Sequence, residues 1–81
     1  MKPIGKVTHY YDKLGVAIVN LAGTLKVGDQ IKIEYKDGVF EQEVSSMQKD
    51  YKSVESAKKG EVVGIKVDEK THEGAMVFLM E

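Results

Sequence analysis

His9, His72 and the serines at 45, 46, 53 and 56 are the side chains with which this chain would do acid–base or nucleophilic work. Such work needs a base and its partner held at hydrogen-bond distance, and a metal needs several ligands converging on one point. His9 stands in a β-branched and aromatic run, and His72 in a turn with Glu69 and Glu73, the composition of a solvated loop. The serines fall in polar, turn-like surroundings, and none belongs to a motif that activates a hydroxyl. Cysteine is absent, which removes thiolate zinc sites and thiol nucleophiles. A Gly-x-x-x-x-Gly-Lys-[Ser/Thr] loop occurs nowhere, so nucleoside triphosphate is not cradled by that route. The expectation is a protein without catalytic residues, metal or cofactor: not an enzyme.

Binding chemistry is better represented. Lys49, Lys52, Lys58 and Lys59 flank Tyr51, and a basic loop with one aromatic can touch phosphate and stack on a base, worth ~1–3 kcal/mol per stacked base. Asp50, Glu55 and Glu61 interleave with these lysines and shrink the local field; the alternative is that Tyr51 or Val54 folds inward and plugs one end of the core. A second candidate is apolar. Val16 to Val19 and Ala75 to Met80 are apolar at every position, although a strand on a small core has only one inner face. The outward members, Ile18 with Met76, Phe78 and Met80, must either be covered by the loop 49–59 or face a partner protein.

The elements that would hold these groups are legible from punctuation and period. Glycines at 5, 15, 23, 28, 38, 60, 64 and 74 cut the chain into short pieces. Ile4–Tyr11 and Leu14–Leu21 form a hairpin about Asp12-Lys13, with Gly15 marking a bulge or a close backbone approach. In Asp29–Lys36, Ile31, Ile33 and Tyr35 alternate with Gln30, Lys32 and Glu34, the period of a half-buried strand. Lys36-Asp37-Gly38 supplies the positive-φ positions of a tight turn, and a long strand, Val39–Gln48, follows with Phe40 and Val44 as core contacts. Asp50–Lys59 reads as a loop with one helical turn near Val54–Lys58; Glu61–Val67 and Ala75–Met80 are the last strands, joined by a turn at Thr71–Gly74. Six strands with turns at short intervals predict an all-β fold, a small closed antiparallel barrel, since closure removes exposed edges. Its interior is expected to be sealed by Ile31, Ile33, Val63, Ile65 and Val77, with corners at Gly28 and Gly60.

Composition bounds the rest. The chain has 81 residues, one proline and a formal charge of −1, which allows a single domain, 1–81, and no second. A domain this short buries only about 60% of the surface its unfolded chain exposes. Hydrophobic content of 42% with 31% charged residues is that of a globular chain. No apolar run reaches the ~20 residues of a membrane span and no signal-peptide pattern precedes Pro3, so a cytoplasmic setting is expected. All 12 basic residues are lysine; near-neutral charge without arginine argues against tight sequence-specific nucleic-acid binding but leaves room for a weak phosphate-touching face.

Three stretches in order carry a resemblance. Gly23-Thr24-Leu25-Lys26-Val27-Gly28-Asp29 resembles the G-x-L-x-x-G-D signature of the second domain of translational GTPases, the barrel of elongation factor Tu and bacterial initiation factor two. Ala57-Lys58-Lys59-Gly60-Glu61-Val62-Val63-Gly64-Ile65 resembles the A-x-x-G-[DE]-x-V-G-I that opens that barrel's penultimate strand. Gly74-Ala75-Met76-Val77-Phe78 stands where the family has G-D-x-[VI]-x, with Ala75 in place of aspartate, so one turn hydrogen bond is expected to be missing. Mechanically, Gly28 permits the turn while Asp29 accepts from nearby backbone amides. The opening Ile4-Gly5-Lys6-Val7-Thr8-His9-Tyr10-Tyr11 and Ser46-Met47-Gln48 are similar to the small barrel at the C-terminus of collagenase-like peptidases and to free-standing copies of it; this chain resembles the free-standing form.

The resemblance implies a translation elongation factor-like barrel, an accessory module contacting tRNA or ribosomal RNA, with Lys49, Tyr51, Lys52, Lys58 and Lys59 as candidate contacts. The stretch from Gly15 to Gly23 is shorter than the elongation-factor pattern and lacks its Gly-Arg pair, so the family's own RNA contacts do not transfer residue by residue. The alternative is a protein–protein module acting in trans with a peptidase-like or RNA-modifying enzyme through Ile18, Met76, Phe78 and Met80.

Overall fold

The computed structural model describes residues 3–36 and 38–80. Runs of β-branched residues, punctuated by glycine, leave the backbone with strand pairing as its means of satisfying N–H and C=O groups. Ten strands result: β1 (Pro3–Tyr11), β2 (Val16–Leu21), β3 (Leu25–Lys26), β4 (Gln30–Tyr35), β5 (Gly38–Glu43), β6 (Met47–Lys49), β7 (Lys52–Ser53), β8 (Ser56–Ala57), β9 (Val62–Lys66) and β10 (Met76–Met80). The fold is all-β and antiparallel, and no helix occurs among the described residues. Eight strands make one sheet in the order β5-β4-β10-β1-β2-β9-β6-β7, and β3 pairs with β8 as a separate ribbon.

Ten strands stand where six were expected, and two further expectations change. The long strand predicted over Val39–Gln48 breaks at residues 44–46 because the chain changes partner. Val44 still bonds back toward β4, donating to the Asp29 carbonyl and accepting from the Gly28 N–H, each at 2.8 Å. Ser46 and Met47 then lie along β9. β5 and β6 therefore stand far apart in the sheet order yet are joined by three residues. The helical turn expected near Val54–Lys58 is also replaced by strands. Val54 N–H donates to the Met47 carbonyl and Glu55 accepts from Val27 N–H, so neighbouring strands take the groups a helical turn would use.

Three corners share one construction. At Lys26–Asp29, Lys58–Glu61 and His72–Ala75 the fourth residue's N–H donates to the first residue's carbonyl at 3.1 Å. The third residue is a glycine with φ of +97° at Gly28, +90° at Gly60 and +92° at Gly74, as a type II turn requires. In the first two, the last side chain returns a bond: Asp29 Oδ2 accepts from Lys26 N–H at 2.9 Å and Glu61 Oε1 from Lys58 N–H at 2.7 Å. The third has Ala75 instead, and no side chain among the described residues replaces the missing acceptor. Ala75 is fully buried, so the position serves packing.

The core is what the alternation predicted: Ile31, Ile33, Val63, Ile65 and Val77 are each at most 1% exposed, joined by Val7, Val19, Leu25, Val44 and Met47. Gly5 is required by contact. A Cβ there would lie 2.5 Å from Val19 Cγ1, and β1 shifts register beside it. The Asp37 half of the predicted Lys36–Gly38 turn lies outside the described residues.

Candidate functional site

The lysine-flanked tyrosine sits at the tip of a two-residue hairpin. In β6–β7, Gln48 faces Ser53 and Lys49 faces Lys52, leaving Asp50 and Tyr51 as the turn. Both have positive φ, 52° and 66°. A type I′ turn needs that conformation and normally recruits Asn or Gly for it. Tyr51 is 99% exposed, so the plug at the end of the core is not Tyr51. Val54, the alternative, does pack against the core, its backbone N–H bonded to the carbonyl of buried Met47.

Glu61 organises the lysines. Its carboxylate pairs with the Lys49 ammonium and accepts from the Lys58 backbone N–H, bringing these parts of the loop together. The hydrogen bond and charge of Glu61 raise the Lys49 pKa above its ordinary value. Those of Lys49, with the Lys58 N–H, hold the Glu61 carboxyl below the usual glutamate range. Lys49 is thereby engaged within the chain, whereas Lys52, Lys58 and Lys59 are exposed. Sequence reading counted Glu61 only as a neighbour that weakens the field; the turn geometry makes it the fixed partner.

The apolar candidates divide into two places. Ile18 and Val16 lie over Gly64 on the β2–β9 surface, where an added Cβ would meet them at 3.3 and 3.2 Å. Met76, Phe78 and Met80 alternate with Val77 on β10, half-buried on the outer face. β1 separates the two sets, with Lys6 between Met76 and Asn20. Lys32 covers part of the β10 set, its ammonium 5.3 Å from the Phe78 ring centroid. Ile18 therefore stands two strands away from the β10 residues, opposite His9, with β1 between them.

The histidines stay apart from any acid–base arrangement among the described residues. His9 packs edge-on to Tyr11 at 4.3 Å and His72 against Tyr35 at 4.9 Å. No group of three or more His, Asp or Glu side chains converges among the described residues.

Two polar residues, Gln42 of a strand expected to have one wet face and Thr71 of a predicted turn, are buried. Gln42 is 4% exposed on β5; its Nε2 donates to the Lys66 carbonyl at 2.8 Å and its Oε1 accepts from Asp68 N–H at 2.7 Å. A side chain thus joins β5 to the end of β9. Beyond this staple, a cavity of about 200 Å³ opens between the β4–β5 hairpin and residues 69–72, with Ile33, Tyr35, Phe40, Thr71 and His72 in its walls. Thr71 is 3% exposed, and its hydroxyl has no hydrogen-bond partner among the described residues. The place of Gln42 between Phe40 and Val44 on one inward-facing row, at a spacing of two, was the available signal for Gln42; nothing local marks Thr71.

No family model matches the chain. It is 46% identical over 79 residues to a protein of Methanocaldococcus jannaschii described as an uncharacterised protease. The match covers 96% of this chain and 19% of that protein, so the chain spans about a fifth of the length of the curated relative it matches. Two crystal structures of the C-terminal domain of a Geobacillus thermoleovorans protein described as a U32 peptidase share the fold. One superposes with a TM-score of 0.93 at 18% identity, over 99% of this chain and 93% of that domain. Its selenomethionine variant gives 0.89 at 19%, over 95% and 98%. The chain therefore shares its fold with that C-terminal domain.

Proposed function

We propose that the chain is a non-catalytic barrel module that serves a peptidase-like enzyme, docking on it through the outer face of β10. The observation that carries this reading is the match along 96% of the chain to a segment of a protein described as a protease, joined to a shared fold with a peptidase C-terminal domain. The half-buried row Met76, Phe78 and Met80 supplies a contact surface, methionine adapting readily to a partner's shape. In this reading the curled sheet closes as a six-stranded barrel. β5 and β6 count as one strand that changes partner at Val44–Ser46, and the Gln42 bonds to Lys66 and Asp68 support that closure.

Affinity capture with the whole chain, read by mass spectrometry, is expected to return a protein bearing a peptidase-like catalytic domain. Met76→Glu and Phe78→Glu should abolish its recovery while leaving the circular dichroism spectrum unchanged. Recovery of ribosomes, or of the same enzyme by both variants, would overturn the reading.

One observation supports an RNA-associated role as a second reading, in line with the likeness to translational barrels: an aromatic held fully exposed in a left-handed conformation beside Lys52. Fluorescence titration with tRNA and ribosomal RNA at low salt, where lysine–phosphate contacts are strongest, should then show binding that Tyr51→Ala weakens. No binding at low salt removes this role.

A further inference from the structure

β5 ends the hydrogen-bonded order of the sheet, so one of its edges has no ladder partner among the described residues. Antiparallel strands alternate bonded and outward-pointing backbone groups. Val44 bonds toward β4, which directs the N–H and C=O groups of Val39 and Glu41 away from β4. At Gln42 this edge is stapled to Lys66 and Asp68. From there toward Gly38 the two chain segments part, and the cavity of about 200 Å³ lies between them. Its volume exceeds the roughly 150 Å³ that holds a benzene ring, so there is room for one aromatic or branched side chain, although Glu69, Lys70 and His72 share the walls with Ile33 and Phe40. The buried Thr71 hydroxyl in its wall lacks, among the described residues, the partner such groups almost always have.

We infer that this gap binds an extended peptide segment, which adds a strand to β5 and sets one bulky apolar side chain between Ile33, Phe40 and Thr71. Strand addition gives affinity through main-chain bonds, and pockets for alternate side chains give selectivity. The register follows. Peptide residues that bond to Val39 and Glu41 lie directly opposite them and share their outward face, and the residue between them points inward to the cavity. The outward face keeps an acidic excess: Glu41, Glu43, Asp68, Glu69 and Glu73 are exposed there, against Lys36 and Lys70, while Lys32, opposite Glu41, turns to Glu34 and Phe78, and the Lys66 ammonium bonds to the Leu14 carbonyl. The complementary occupant alternates basic, apolar, basic. This site lies on a different strand from the β10 surface and stands whether or not that surface docks an enzyme.

The probe is an acetylated, amidated Thr-Lys-Phe-Lys-Thr peptide titrated into the ¹⁵N-labelled whole chain and followed by amide chemical shifts. Saturable shifts are expected at Val39, Glu41, Thr71 and His72. Replacing the phenylalanine by alanine, replacing both lysines by glutamate, or methylating the two lysine backbone nitrogens should each weaken binding at least tenfold. Glu41→Pro, which removes an outward N–H that an edge strand can spare, should fold and lose the peptide. Absence of saturable shifts at millimolar peptide, shifts centred on other strands, or equal binding of the N-methylated peptide would overturn the inference. Dilution of the free chain that moves the same amides would also overturn it, by making a second copy the occupant of this edge.

Discussion

At Thr71 a hydroxyl is buried with nothing to bond among the described residues, and leaving such a group unsatisfied costs about 1–3 kcal/mol. Thr71→Val keeps the shape and removes the orphan. It is expected to raise the stability of the free protein by roughly 1 kcal/mol, a rise in Tm of about 4–8 °C for a domain of this size. The Lys49–Glu61 pair makes a second test. Glu61 has a lowered pKa in the folded chain, so its contribution is present above the ordinary glutamate value of about 4.3 and is lost as pH falls through the lower folded value. Lys49 has a raised pKa, so its contribution is present below about 10.4 and is lost as pH rises through the higher folded value. Tm measured against pH should therefore fall at both ends, and Glu61→Gln should flatten both limbs.

The element under strain is the β6–β7 hairpin. Left-handed backbone costs an L-residue roughly 1–2 kcal/mol, and here both turn positions adopt it without glycine. Tyr51→Gly should relieve part of that cost and raise stability by about 0.5–1 kcal/mol in chemical denaturation. The same substitution removes the aromatic that an RNA-binding role would use, so stability and binding should move in opposite directions if that role holds. The corners show the reverse economy. Asp29 and Glu61 each supply a side-chain acceptor to a glycine turn, whereas at Ala75 the third corner gives up that bond for complete burial.

For the molecule as a whole, the sensitive place is the seam between β5 and the end of β9. The radius of gyration is 11.0 Å, against about 11.7 Å expected for 81 residues, so a chain without helices among its described residues still packs tightly. Gln42 holds that seam by two bonds from one buried side chain. Gln42→Ala leaves the Lys66 carbonyl and the Asp68 N–H without partners and should cost about 2–4 kcal/mol. Native-state hydrogen exchange is expected to show β5, β6 and residues 66–72 opening together, while the β1–β2 hairpin retains its protection. Uniform loss of protection would count against a seam.

Alternation and glycine punctuation were enough, from the linear chain, to place the main strands, the five sealing residues and the corners at Gly28 and Gly60, because those properties depend on neighbours two to four residues away. The missing carboxylate at Ala75 was implied by the resemblance to the translational barrel and not by that pattern. The break of Val39–Gln48 into two strands was not legible, since it depends on where β4 and β9 lie on either side of it. For the same reason Tyr51 could be named but not turned outward, Ile18 could not be separated from Met76, Phe78 and Met80, and the gap beside Thr71 had no local sign. Each depends on residues distant along the chain meeting across the curled sheet, and only the tertiary fold decides which of them meet.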